Sequence, residues 1–264
     1  MTISALPTAL ELRRLSFRYP SGRVALDDVT CSISAGERVA VVGPSGAGKS
    51  TLLMHLNGLL PTKPLLDDDQ TQVFVQSQAV IKSRLREVRR QIGYLFQDPD
   101  DQLFCPTVRE DVAFGPLNLG LSNDEVLARV DRSLVAVGLP EHGPRNPSQL
   151  STGERKRVCL AGVLACEPSI LVLDEPTSNL DPRARRQLLE ILRQFPGTQI
   201  IATHDLEFVL DLCQRALVLD GGKLQADGPV EQVLSNSNLM DRHGLEVPWR
   251  LRCGSVAPVC SSEK

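Results

Sequence analysis

Nine consecutive residues constrain this chain more than any others: Gly43-Pro44-Ser45-Gly46-Ala47-Gly48-Lys49-Ser50-Thr51 fits G-x-x-x-x-G-K-[ST] at every position. The apolar run Arg38-Val39-Ala40-Val41-Val42 before it reads as a buried strand, and Leu52-Leu53-Met54-His55-Leu56 after it as the body of a helix. Strand, glycine-rich turn and helix in that order make a phosphate-binding loop. The glycines let the backbone fold tightly, so that successive N–H groups and the helix N-terminus point at a polyphosphate. Lys49 then reaches the β- and γ-phosphates, and the Ser50 hydroxyl takes a place on Mg²⁺. A simple glycine-rich turn is the competing reading, and the complete motif with both flanks weighs against it. The motif alone says only that a nucleoside triphosphate binds, which covers kinases, GTPases, recombination proteins and transport motors.

Composition narrows the rest. At 264 residues the chain is long enough for one or two domains with a substantial core, and it carries no run of about 18 apolar residues that could span a bilayer. The N-terminus, Met1-Thr2-Ile3-Ser4-Ala5-Leu6-Pro7, lacks the charged and apolar blocks of a signal peptide, so the expected compartment is the cytosol. Seven cysteines without a C-x-x-C pair read as reduced thiols, with Cys31, Cys159, Cys166 and Cys213 in core-like patterns. A net charge of −3 argues against wholesale nucleic-acid binding.

Along the chain, residues 10 to 18 and Ala25 to Ile33 read as strands flanking a turn at Pro20-Ser21-Gly22. An acidic turn, Asp67-Asp68-Asp69, precedes a short strand at Gln72 to Val75, and Ser83 to Arg90 reads as a short helix with a solvated basic face. Between Pro106 and Ala165 the pattern is helical, with three- and four-residue apolar spacing from Asn123 to Val137. Short apolar runs then return at Ile170 to Asp174, Gln199 to Thr203 and Arg215 to Leu219, separated by helical patterns at Arg183 to Phe195 and Leu206 to Cys213. That alternation implies a parallel sheet wound with helices, an α/β core with a mostly helical insert over about residues 106–165. From Ser235 onward Ser, Asn, Pro and Gly are frequent, and the last residues read as unstructured.

Two further stretches carry chemistry. Asp174-Glu175 ends a predicted strand at the edge where ligands sit in open α/β sheets; Asp174 can hold Mg²⁺ through water, and Glu175 can deprotonate the water that attacks a γ-phosphate. His204 comes after the next strand and arrives at the same edge. Leu150-Ser151-Thr152-Gly153-Glu154-Arg155-Lys156-Arg157 opens a helix with Ser and Gly donors at its positive end.

Placed between a phosphate loop and an Asp-Glu strand, that last stretch resembles the signature of ATP-binding-cassette ATPases, and the family's other motifs occur in order over roughly residues 10–235. The resemblance implies a P-loop NTPase nucleotide-binding domain with a helical subdomain and an antiparallel β N-terminal part, and a C-terminal extension over 236–264. It implies Tyr19 stacked on adenine, Gln97 in the Q-loop as a catalytic and Mg²⁺-binding residue, Ser178-Asn179-Leu180-Asp181 as the D-loop, and His204 as the switch histidine. The segments Val88 to Phe104 and Gly115 to Gly120 are similar to the ATPases of energy-coupling-factor importers, which take up cobalt, nickel, biotin and other vitamins.

The same resemblance implies ATP and Mg²⁺ as ligands and a place on the cytoplasmic face of the membrane. The partners implied are a second copy or a paralogous ATPase, a transmembrane scaffold and a substrate-binding membrane subunit. Ser151 and Gly153 of one chain would meet the nucleotide on the other. Asp100 and Asp101 would meet arginines of the scaffold's coupling helices. Two departures stand out: the signature reads Ser-Thr-Gly-Glu rather than Ser-Gly-Gly-Gln, and Leu60 to Gln72 replaces a glycine-rich turn. The Ser-x-Gly-Glu form looks somewhat like metal-importer members. An exporter motor is the near alternative; a soluble cassette acting on DNA or the ribosome would usually carry further modules, and a catalytically dead cassette would not keep Lys49, Asp174, Glu175 and His204.

Overall fold

The computed structural model describes residues 7–61 and 72–252. An antiparallel pair, β1 (Thr8–Arg18) and β2 (Val24–Ser34), opens the chain, with Leu12 opposite Cys31 and Phe17 opposite Leu26. β3 (Arg38–Val42) runs into the glycine-rich loop and α1 (Lys49–Leu56). β4 (Val73–Val75) and β5 (Gln78–Ala79) extend the first sheet in the order β2-β1-β4-β5. α2 (Leu85–Gln91) leads to β6 (Ile92–Leu95), then α3 (Val108–Asn118), α4 (Asn123–Ala136) and α5 (Thr152–Ala165). β7 (Ile170–Asp174), α6 (Pro182–Gln194), β8 (Thr198–Ala202), α7 (Leu206–Leu212) and β9 (Arg215–Asp220) alternate as predicted. β10 (Lys223–Pro229), α8 (Val230–Leu234), α9 (Ser237–Arg242) and α10 (Trp249–Arg252) close the described chain.

The second sheet has the order β10-β9-β3-β8-β7-β6, parallel except for β10. Its parallel strands read as largely apolar runs because both faces are covered. Val39 and Val41 of β3 face one core, with α1 and the four-stranded sheet; Ala40 and Val42 face the other, with the helices of the insert and α6 to α8. The insert has no core of its own. Val112 of α3, Val130 and Leu134 of α4 and Leu160 of α5 belong to the same apolar cluster as Leu171 and Leu173 of β7. The helix that starts at the signature is thereby seated directly on the sheet.

Some elements differ from the sequence reading. α2 is not simply a solvated basic helix: Val88 is buried, and Arg89 donates to the carbonyls of Asn57 (3.4 Å) and Gly58 (3.1 Å), closing the end of α1. β10 carries no apolar run to announce it, since its burial only alternates between exposed and half-buried. Beyond Ser235, where composition favours irregular chain, α9 and α10 form because Met240 is fully buried and Arg250 reaches Glu207 (2.7 Å) and Asp211 (3.0 Å) on α7. Asp67-Asp68-Asp69, most of Leu60 to Gln72 and the final twelve residues lie outside the described residues.

One side chain draws together groups from both sheets. Arg215 at the start of β9 donates from Nε and Nη2 to Asp227 on β10 (2.5 and 2.6 Å) and from Nη1 to Glu37 (3.1 Å) and the Ser32 carbonyl of β2 (2.9 Å). The Asp227 hydrogen bonds, and then Glu37, hold its pKa above the ordinary arginine range. Arg215→Met leaves two half-buried carboxylates without their cation. Because the site is partly open to water, the expected loss of stability is about 1–3 kcal/mol. A urea denaturation midpoint equivalent to under about 0.5 kcal/mol of change would contradict this linkage.

Candidate active site

β3, β8, β7 and β6 are consecutive neighbours in the sheet, and the segments leaving their carboxyl ends carry the site. They are respectively the loop 43–48, Thr203-His204, Asp174-Glu175 and the stretch to Gln97, all at the edge where open α/β sheets place ligands. An open cleft of about 370 Å³ there is lined by Arg23, Ser45, Gly46, Ala47, Gly48, Lys49, Ser50, Thr51, Gln97, Glu175 and His204.

The loop is held by backbone on both sides. Gly48 caps α1 at φ 107°, and a Cβ there would collide with the Ala25 carbonyl of β2; the Ala47 carbonyl accepts from Gly222 N (3.1 Å) in the β9–β10 turn. Lys49 Nζ donates to the carbonyls of Gly43 (2.8 Å) and Pro44 (3.0 Å), which folds the ammonium over the loop with a third proton to spare. Burial lowers its pKa, against the opposing charges of Glu175 and Asp174.

Asp174 is 4% exposed, and its Oδ1 is buried without a hydrogen-bond partner among the described residues. Oδ2 accepts from the Tyr94 hydroxyl (3.4 Å). Burial pushes the carboxyl up, the Ser50 hydroxyl pulls it down, and Glu175 adds to the rise. Asp174 does not itself line the cleft, but its orphaned anionic oxygen, the Ser50 hydroxyl that acts on it and Gln97, which lines the cleft with Ser50, are a donor set that fits a hard divalent cation such as Mg²⁺.

Glu175 comes next in the left-handed region, at φ 45°. Its Oε2 accepts from Thr203 Oγ1 (3.2 Å), His204 N (3.4 Å) and His204 Nδ1 (2.8 Å), so Oε1 takes none of these donors. The carboxylate is 12% exposed and the imidazole 71%; the ring proton on Nδ1 is fixed by the bond to Glu175, and Nε2 is directed outward. Sequence reasoning gives Glu175 and His204 separate duties, and the structure makes them a hydrogen-bonded pair.

Other assignments are placed less directly. The Tyr19 hydroxyl shares a hydrogen bond with Thr51 Oγ1 (3.0 Å) and its ring packs edge-on against Phe17; it does not line the cleft. Ser151 and Gly153 also lie outside the cleft lining. Ser151 caps α5 in a reciprocal box: its Oγ accepts from Glu154 N (3.3 Å) and donates to Glu154 Oε2 (2.7 Å). A Cβ on Gly153 would stand 2.8 Å from Ala184 Cβ on α6, so glycine there is demanded by the chain's own packing. Asp100 is already paired in the chain with Arg155, and only Asp101 of that acidic pair is left without an ion-pair partner among the described residues.

Sequence reasoning misses Arg23, Tyr94, Thr203 and Lys156. Arg23 sits in a turn with no motif; Tyr94 and Lys156 lie inside quoted motifs but reveal their duties only through long-range contacts. Lys156 is 2% exposed, donates to the Glu175 carbonyl and to Ser178 Oγ (both 2.7 Å), and is pushed by burial down to about 8.

Gly48→Ala tests whether the loop's geometry is what binds phosphate. Relieving the clash with the Ala25 carbonyl costs about 1–3 kcal/mol, and taken from binding this is about five- to 150-fold in nucleotide affinity. Calorimetry showing affinity unchanged within about twofold would contradict it.

Comparison with known proteins places this site in a family. A family model described as ABC transporter matches residues 26–178. The chain is 46% identical to the energy-coupling factor transporter ATP-binding protein EcfA of Methanothermobacter thermautotrophicus, over 90% of this chain and 76% of that one. It is 33% identical to the solved structure of cbiO1 from Clostridium perfringens, part of the ABC transporter complex cbiONQ, with a TM-score of 0.77 over 95% of this chain and 100% of that one. A dimeric ATP-binding cassette in a post-hydrolysis state with ADP and Pi matches at 26% identity and a TM-score of 0.72, over 84% of this chain and 98% of that one. The chain belongs to the ABC transporter ATP-binding family, in its energy-coupling-factor branch.

Proposed function

We propose that the chain is the ATP-hydrolysing motor of an energy-coupling-factor importer, closing on ATP with a second copy or a paralogue and reopening after hydrolysis. The observation that carries this reading is the Glu175–His204 pair on the same cleft as Lys49 and Ser50, with Ser151 and Gly153 outside its lining. A site that holds a base and a phosphate loop but not its signature donors is half of a composite site.

Residues 10–235 form the ATPase domain in this reading, and 236–264 the extension. Ser45 to Thr51 bind the phosphates through backbone N–H groups, with Lys49 leaving the loop carbonyls for the β- and γ-phosphates. Ser50, Asp174 and Gln97 hold Mg²⁺; bound there, the ion supplies a Lewis acid for the phosphate oxygens. Glu175 takes the proton of the attacking water at Oε1, while Thr203 and His204 hold Oε2. His204, with Nδ1 engaged by Glu175, would offer Nε2 to the γ-phosphate. Tyr19 borders the adenine through its place beside Thr51.

The chain's scaffold partner would dock after Gln97, where Asp101 neighbours an exposed pair of aromatic rings. Phe104 and Phe114 stand edge to face at 4.8 Å, and both are exposed, as is Leu117. An arginine-bearing apolar helix suits that surface. The complex would sit at the cytoplasmic face of the membrane with a substrate-binding membrane subunit. The cargo in this reading is a transition-metal ion, cobalt or nickel, or a vitamin such as biotin; the Ser-x-Gly-Glu signature favours the metals.

Glu175→Gln is the test of the chemistry. The amide keeps the geometry and loses the base, so ATP binding persists, a closed dimer accumulates in gel filtration, and turnover falls by about two to four decades. Turnover within about threefold of wild type would remove Glu175 from the role of base. Glu154→Gln tests the composite site. Gln preserves the capping box with Ser151 but removes an anion from the place where a second chain's γ-phosphate would arrive. ATP-driven dimerisation, measured by sedimentation with a non-hydrolysable analogue, is expected to strengthen about fivefold, the equivalent of about 1 kcal/mol. Equal or weaker association would contradict it.

A further inference from the structure

The first turn of α5 carries the signature residues Ser151 and Gly153, and one turn further the same helix carries Lys156. A lysine buried to 2% exposure has to be compensated, and among the described residues its ammonium donates to two acceptors. One is the main-chain carbonyl of Glu175 at 2.7 Å, the other the Ser178 hydroxyl at 2.7 Å. Ser178 in turn donates to the same Glu175 carbonyl at 2.9 Å, so lysine, serine and carbonyl close a triangle.

That carbonyl belongs to a residue whose backbone needs holding. Glu175 has φ 45°, a conformation that side-chain-bearing residues adopt only when their surroundings impose it. The donors on its carboxylate come from the end of β8, and those on its carbonyl from α5 and the segment after β7. The peptide after Glu175 is thus gripped by a cation on the signature helix. Neither Lys156 nor Ser178 lines the cleft.

We propose that Lys156 is a positioning residue: it holds the left-handed turn at Glu175 and makes the placement of this chain's catalytic base depend on the seating of its own signature helix. The idea rests on the reading of Glu175 as the base. In a composite dimer the same rigid helix would then present donors to the nucleotide on the partner and fix the base for the nucleotide on its own chain. A shift of α5 when the partner's nucleotide engages Ser151 and Gly153 would be transmitted to Glu175 through one side chain.

The experiment is steady-state ATPase kinetics of the purified chain with Lys156→Met, Lys156→Gln and Ser178→Ala, each with its melting temperature. Met keeps the volume and removes the donor; Gln restores a neutral N–H donor. Misplacing a catalytic group by about 1 Å costs about 100-fold, so Lys156→Met is expected to lower kcat by about 10- to 100-fold with the KM for ATP unchanged, and Lys156→Gln to recover most of it. An unchanged kcat in Lys156→Met, or equal slowing in Met and Gln variants accompanied by equal loss of melting temperature, would reduce Lys156 to a packing role and overturn the proposal. Should Lys156→Met not fold, Ser178→Ala decides: a several-fold lower kcat at constant KM supports the triangle, and a wild-type kcat overturns it. Wild-type kcat in Glu175→Gln would instead strike at the reading of the base, and this proposal would fall with it.

Discussion

The conformation of one residue, Glu175, is the constraint on which the rest of the site depends. A left-handed backbone at a non-glycine residue costs about 1–3 kcal/mol and persists only where neighbours over-determine it. Here Glu175 N donates to the Ala202 carbonyl (2.8 Å), Ser178 N donates to the Glu175 carbonyl (3.1 Å), and Lys156 grips that same carbonyl from α5. The turn brings the carboxylate to the end of β8, where Thr203 and His204 fix one oxygen and leave the other outside these bonds. Strain in the main chain is therefore exchanged for a carboxylate with one free oxygen in a defined place.

That exchange works because the parallel sheet brings distant sequence to one edge. β3 and β8 are hydrogen-bonded neighbours, and Thr203 N continues their ladder onto the Val41 carbonyl (3.3 Å), so the switch segment is registered directly against the strand that feeds the loop. β7 lies on the other side of β8 with Asp174 paired to Ala202. Burial of both sheet faces makes this register hard to slip, since the apolar residues of β3, β7 and β8 alternate between the two cores.

The same physics decides how much of the site is legible in the sequence. The phosphate loop, the Asp-Glu pair and His204 are readable because each is a short local pattern at the end of a strong apolar strand, and strand, loop and helix are set by neighbouring residues. The six-stranded order is not readable, because register between β3, β8 and β7 is decided by packing across more than a hundred residues. β10 escapes notice because it buries too little to need an apolar run. Lys156 escapes because a lysine in a charged stretch, between Arg155 and Arg157, reads as surface until the fold turns it inward. The Asp100–Arg155 pair is hidden because it joins residues 55 positions apart.

The remaining feature is what the cleft lacks. Arg23, Lys49, Ser50, Gln97, Glu175 and His204 converge, yet the helix N-terminus at Ser151 and Gly153 presents its donors elsewhere, with the Ser151 hydroxyl turned to Glu154. In the proposed reading a nucleotide in this cleft is contacted from one side, and a second chain completes the site. The most direct measurement is the specific ATPase activity of the purified chain across a wide range of its own concentration. The account predicts specific activity that rises with concentration and levels off as the ATP-bound dimer saturates. Specific activity independent of concentration, from a chain that sediments as a monomer with ATP bound, would contradict it.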